Sequence, residues 1–102
     1  RFVQFDSTRH AGFTEALRIA YLAEQHGVSI APHTAPHIHA HIVSAFGANA
    51  FAAESHGDDE RNPIHHGLYT DGPVVRDGML HLNDAPGFGV GIDWAFVKQH
   101  QA

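Results

Sequence analysis

The chain has 102 residues, a formal net charge of −5 from 6 Lys plus Arg against 11 Asp plus Glu, and 43% hydrophobic residues; this is the size and composition of one globular domain. It has no cysteine, which excludes a disulfide scaffold, a Cys-ligated zinc or iron–sulfur site and a thiol nucleophile. The acidic balance argues against a nucleic acid or an anionic membrane as partner, and no apolar run approaches the roughly 18 residues that a membrane span needs.

Two features stand out at once. Eleven residues are histidine, and the chain opens on Arg1-Phe2-Val3-Gln4-Phe5, strand-like from the start and without Met. That opening reads as a segment of something longer. The lack of disulfides favours a reducing, cytoplasmic setting.

Phe2 to Phe5 is a short run of aromatic and β-branched residues and reads as a buried strand. A polar loop beginning at Asp6 follows. Thr14 is a candidate N-cap, and Ala16, Leu17, Ile19, Ala20, Leu22 and Ala23 recur at helical spacing until Gly27 stops the helix. Val28 to Ala31 reads as a second strand, with Pro32 and His33 at its end. Pro36 opens a second helix, whose apolar side carries Ile38, Ile42, Val43 and Ala45. Asn49 to Ala53 reads as a third strand ending at Glu54. This alternation is the pattern of βαβ units, so an α/β fold with a parallel sheet is expected over residues 1–57.

The character changes after Gly57. Residues 58–63 read as a solvated loop, and 58–102 as loops, one hairpin and a short helix. Val74 to Arg76 and Met79 to Leu82 flank Asp77-Gly78, a strong hairpin signal. Trp94 to His100 reads as the terminal helix. Gly87-Phe88-Gly89-Val90-Gly91 lacks the GxGxxG spacing and a βαβ context, so it reads as a turn or close packing and not as a nucleotide site.

Each predicted parallel strand ends in a group able to do chemistry: Asp6, His33 and Glu54. The gaps of 27 and 21 residues are each about one β/α unit. Adjacent strands lie about 4.8 Å apart, so a carboxylate on one strand end reaches an imidazole on the next. A carboxylate on one ring nitrogen fixes the tautomer and makes the other a better proton acceptor, the arrangement of a general base. The plainer reading is that the three are ordinary loop residues. A second constellation is His37 and His41, four apart and on one helix face, as in a metal-binding pair. Ile38 stands where the zinc-protease pattern requires Glu. The rival to an enzyme is therefore a non-enzymatic, His-rich metal-binding module using that pair. His65-His66 reads as lying in a loop.

The run Asp6-Ser7-Thr8-Arg9-His10-Ala11-Gly12-Phe13-Thr14-Glu15-Ala16 resembles the sixth-strand signature of the enolase superfamily. More narrowly, it resembles the mandelate racemase and muconate lactonizing enzyme family with its acid-sugar dehydratase relatives. Val28 to His33 is similar to that family's seventh strand, Ala52-Ala53-Glu54 to its eighth, and Asp84 to Val90 to its closing segment. Where Ala11-Gly12 stands, the family often has two glycines.

The resemblance implies the C-terminal part of a (β/α)7β TIM-type barrel: strands six to eight, then a tail returning to a capping domain. It implies an enzyme that abstracts the proton α to a carboxylate, with Mg2+ opposing the charge that develops. An acid-sugar dehydratase is expected; a racemase or epimerase of the same fold is the alternative. By resemblance His33 is the base, Asp6 orients it, Glu54 bonds the substrate carboxylate, and Thr34 and His56 face the substrate. Both of the last two are polar, which suits a hydroxyl-bearing sugar acid. The magnesium ligands and the lysine base of many members belong to earlier strands. The N-terminal remainder of the enzyme is thus an implied partner, the isolated segment is expected to be inactive, and the full-length protein to be a homo-oligomer.

Overall fold

The computed structural model describes residues 1–56 and 63–101. The chain divides into two compact units, Arg1–Ser55 and His56–Ala102. Of the solvated loop expected at 58–63, residues 58–62 lie outside the described residues, and Pro63 is instead the first residue of a helix.

In the first unit, β1 (Phe2–Val3) runs parallel to β2 (Ser29–Ile30), with Phe2 opposite Ser29 and Val3 opposite Ile30. The backbone pairing continues past these short strands. Ala31 donates to the Val3 carbonyl at 3.0 Å and His33 to the Phe5 carbonyl at 2.8 Å. Ile30 then bridges Ala50 in parallel, and the Phe51 N–H reaches the Ile30 carbonyl at 2.8 Å. Three extended segments therefore lie side by side, joined by helices α1 (Gly12–Gln25) and α2 (Pro36–Phe46). Parallel neighbours need such crossovers, and the expected α/β alternation is present. The third segment is shorter than the sequence suggested. A 3-10 turn at Gly47–Asn49 continues off α2, so the chain straightens only at Ala50.

Helix α1 begins at Gly12, two residues before the expected cap. Ala11 occupies the N-cap in a left-handed conformation with no side-chain cap, and Thr14 lies inside the first turn. The reason is the loop before it, where the Gly12 N–H bonds the Ser7 carbonyl at 3.0 Å and carries the chain straight into the helix. The other end follows the sequence closely. Gly27 has φ 61°, its N–H bonds the Glu24 carbonyl, and the Val28 N–H bonds the Ala23 carbonyl. This pair of bonds is a Schellman motif, in which glycine is favoured because φ is positive.

The core of this unit is Phe5, Ala16, Ala20, Ala23, Ile30 and Ile42. Three alanines on one face of α1 let its backbone approach the sheet. Leu17 and Leu22, on the same periodicity by sequence, remain exposed at 36% and 61%. In α2 the buried residues are His37, His39, Ala40 and Ile42, not the Ile38, Val43 and Ala45 side. His39 can take a core position there because both of its ring nitrogens are hydrogen-bonded, which offsets the desolvation cost.

In the second unit, β4 (Val74–Arg76) and β5 (Met79–His81) form the expected antiparallel hairpin. Asp77 and Gly78 have φ of 53° and 73°, the left-handed pair of a type I′ turn. Two features were not read from the sequence. Helix α3 (Pro63–Leu68) contains His65 and His66, which are therefore helical and not in a loop. Strand β3 (Tyr69–Thr70) pairs antiparallel with β6 (Gly91–Ile92). Helix α4 (Trp94–Gln99) is capped by Asp93, which accepts from the Ala95 and Phe96 N–H groups. No helix among the described residues is long and apolar enough to cross a membrane.

Candidate functional site

The bond from the His33 N–H to the Phe5 carbonyl brings the ends of the first two extended segments together. Asp6 follows Phe5, and Glu54 follows the third segment. The three residues singled out by spacing thus all stand just beyond C-terminal segment ends in one unit, the side on which α/β proteins collect their chemistry.

The tightest pairing in this group joins the second and third ends. Nδ1 of His33 lies 2.6 Å from Oε2 of Glu54. The same oxygen accepts the backbone N–H of Thr34 at 2.7 Å. Two donors thus fix one carboxylate oxygen, which favours the Nδ1–H tautomer and directs Nε2 to proton transfer. The His33 side chain is half exposed and that of Glu54 about one-third exposed, so the pair is open to a ligand.

Asp6 is differently placed. Its Oδ1 accepts from both the Thr8 N–H at 2.9 Å and the Thr8 hydroxyl at 2.7 Å, while Arg9 lies 3.3 Å from Oδ2. Burial pushes its pKa up, but the Thr8 bonds, the neighbouring His39 and Arg9 together hold it below the ordinary carboxylate value. Its main-chain carbonyl accepts from Nδ1 of His10 at 2.7 Å. The carboxylate is therefore ionised and anchored within its own loop.

Thr34 takes part through its backbone, at φ 54°. His56 belongs to the second unit and is exposed. There its charge, after burial and the charge of His66, helps hold the pKa of His65 below the usual histidine value. His37 is 5% exposed and packed in the core. No group of three or more His, Cys, Asp or Glu among the described residues is arranged to hold a metal ion.

One residue was passed over in the sequence. His39 is completely buried. Its Nδ1 lies 2.7 Å from the Thr34 carbonyl, and its Nε2 receives the Ser7 N–H at 3.1 Å, with the Ser7 hydroxyl at 2.7 Å. Nε2 also lies 4.0 Å from Oδ1 of Asp6. Its sequence signal is its place between His37 and His41 on α2, whereas helical spacing pairs those two and leaves His39 on another face.

The chain is similar to known proteins over nearly its whole length. The sequence profile described as "Enolase C-terminal domain-like" matches residues 1–96. L-talarate/galactarate dehydratase of Salmonella typhimurium is 32% identical over 88 residues, which are 86% of this chain and 20% of that enzyme. A mandelate racemase/muconate lactonizing enzyme from a marine actinobacterium, solved with magnesium, superposes with a TM-score of 0.87 at 29% identity, over 99% of this chain and 28% of that one. L-talarate dehydratase from Polaromonas sp. JS666, solved with Mg and L-glucarate, gives a TM-score of 0.77 at 26% identity, over 95% of this chain and 25% of that one. The chain thus spans about a quarter of the length of the proteins it matches.

Proposed function

Because the chain belongs to the enolase C-terminal domain-like family, we propose that it is the C-terminal segment of a Mg2+-dependent enzyme that abstracts the proton α to a carboxylate, an acid-sugar dehydratase. Its parallel unit supplies strands six to eight of a (β/α)7β barrel. The observation that carries the reading is the pairing of His33 with Glu54 beyond adjacent strand ends, in a chain similar to a dehydratase of talarate and galactarate.

His33 is the base. Its Nδ1–H is held by Glu54, so the substrate proton arrives at Nε2. A positioned base of this kind contributes about 10²–10⁴-fold to rate. Asp6 completes the catalytic set as a fixed negative charge on the adjoining strand end. Thr34 and His56 are the substrate-side positions. Loss of the α proton leaves an enolate, and expulsion of the β-hydroxyl as water completes a dehydration. The protonated His33 can donate the proton that the departing hydroxyl needs. Mg2+ supplies charge stabilisation in this chemistry. The described residues do not form a site for the ion, so its ligands are assigned to the N-terminal remainder of the enzyme. This chain's contribution is the movement and placement of the proton.

The test is His33→Asn in the full-length enzyme, followed in deuterated water with sugar diacids as substrates. Exchange of the α proton should disappear. Exchange retained from both faces would remove His33 from the role of base. The same assay separates the alternative of a racemase or epimerase: starting material deuterated in both configurations marks the racemase, and a 2-keto product marks the dehydratase.

A further inference from the structure

We infer that His39 is a positioning residue that clamps the loop after β1 to the loop after β2 and sets the geometry of the His33–Glu54 pair. For its effect on catalysis the inference rests on the function proposed above.

The argument begins with the backbone. Thr34 and Ala35 have φ of 54° and 41°. Neither is glycine, and the left-handed region costs an L-residue about 1–2 kcal/mol. A β-branched residue there is an outlier. Two such residues in succession persist only if the surroundings hold them, and strain of this kind gathers at functional sites. Here the turn serves a visible end. It carries the chain from His33 into α2 while the Thr34 N–H meets Oε2 of Glu54 at 2.7 Å.

His39 provides the hold. It is completely buried one turn into α2. Nδ1 donates to the Thr34 carbonyl at 2.7 Å, just where the two left-handed residues join. On the far side of the ring, Nε2 accepts the Ser7 N–H at 3.1 Å. Ser7 is itself buried and follows Asp6 directly. Phe5 closes the ring's surroundings in an edge-to-face contact at 6.1 Å. One imidazole therefore spans two loops that carry proposed catalytic groups, through one donor and one acceptor in a fixed tautomer. A chain of contacts runs from His39 to the Thr34 carbonyl, from the Thr34 N–H to Glu54, and from Glu54 to His33. Apolar residues of the same size could fill the space but could not hold the turn.

The experiment uses the full-length enzyme with His39→Phe, His39→Gln and the double variant His39→Phe/Ala35→Gly. A misplacement of the pair by about 1 Å can cost about 10²-fold in rate. The expected result for His39→Phe is therefore a fall in kcat of about 10²-fold with KM within about threefold. His39→Gln keeps a donor and an acceptor and should recover at least tenfold of the loss. Ala35→Gly removes part of the left-handed cost and should recover part of it as well. A folded His39→Phe enzyme with kcat within threefold of the parent would overturn the proposal, as would Gln and Phe variants with equal losses.

If His39→Phe does not fold, nitrogen-15 spectroscopy of the parent enzyme decides. The clamp requires His39 as the neutral Nδ1–H tautomer, and an Nε2–H form or an imidazolium at neutral pH would overturn it. This readout does not depend on substrate. A parent enzyme without α-proton exchange but with the Nδ1–H tautomer at His39 would sink the proposed function and leave the clamp standing.

Discussion

His33 and Glu54 meet through Nδ1 and Oε2 at 2.6 Å, although 21 residues separate them in the chain. The family resemblance implies instead that Asp6 orients the imidazole and that Glu54 bonds the substrate carboxylate. In the structure Glu54 holds the ring, and Asp6 is engaged with Thr8 and Arg9. Glu54→Gln replaces the carboxylate with a neutral amide of the same shape, so the tautomer of His33 is no longer enforced. A fall in kcat of about 10²–10⁴-fold is expected, the range for loss of base catalysis or of a correctly held tautomer. Steady-state kinetics and α-deuterium exchange check it. A loss below threefold would place Glu54 outside the reaction.

Asp6 makes a prediction in acid. Its carboxyl pKa in the folded protein is held below the ordinary aspartate value of 3.8, so the folded state favours the ionised form. The unfolded chain then binds more protons as pH falls, and stability falls with it. The contribution is complete above the unfolded value near 4 and is lost as pH drops through the lower folded value. Asp6→Asn keeps an oxygen for Thr8 but removes the charge. The variant should be less stable than the parent at neutral pH, and the difference should shrink towards pH 3. Denaturant midpoints measured across that range test it; a constant difference would mean that the charge contributes nothing.

The sequence made the crossovers legible because their signals are local. Gly27 in a Schellman motif, Pro36 at the first position of α2 and the Asp77-Gly78 turn each fix backbone geometry with one or two residues. The three strand-end groups were legible for a related reason, since one β/α unit has a narrow range of lengths. The partners of those groups were not legible. Which carboxylate meets His33 depends on a left-handed turn at Thr34 and Ala35, and nothing in Thr-Ala announces positive φ. Burial of His39 was hidden likewise, because a histidine among two others on a helix does not reveal which ring has both nitrogens satisfied. Strands β3 and β6 are two residues each and pair at long range, beyond what alternation can signal.

Gly89 explains part of the glycine-rich stretch that was read as a turn. It has φ 67°, and a Cβ built there would collide with Oδ1 of Asn83. That side chain is already committed: it donates to the Asp71 and Gly89 carbonyls at 2.7 Å each and accepts from the Ala85 N–H at 3.0 Å. Gly89→Ala therefore meets both an unfavourable backbone region and a fixed neighbour. A destabilisation of about 1–3 kcal/mol is expected. Denaturation of the full-length variant measures it, and a loss under about 0.5 kcal/mol would show that the Asn83 cluster yields freely.

The last prediction concerns the 102-residue chain by itself. In its first unit Phe2 is 56% exposed, Tyr21 59%, Leu22 61% and Phe51 65%. Phe2 and Phe51 contact each other with ring centroids 4.3 Å apart, yet most of both rings faces solvent. An exposed aromatic pair of this kind marks a surface that another element covers. The core they flank contains only three large aliphatic or aromatic residues, Phe5, Ile30 and Ile42, with three alanines. The barrel reading supplies the missing cover, since the first and last of the three parallel segments would pair with strands from the remainder of the enzyme. The isolated chain should therefore melt without a cooperative transition and bind an apolar dye strongly, and co-expression with the N-terminal remainder should abolish both behaviours. A sharp, concentration-independent melt of the isolated monomer would contradict this and would show that the unit is stable without the barrel.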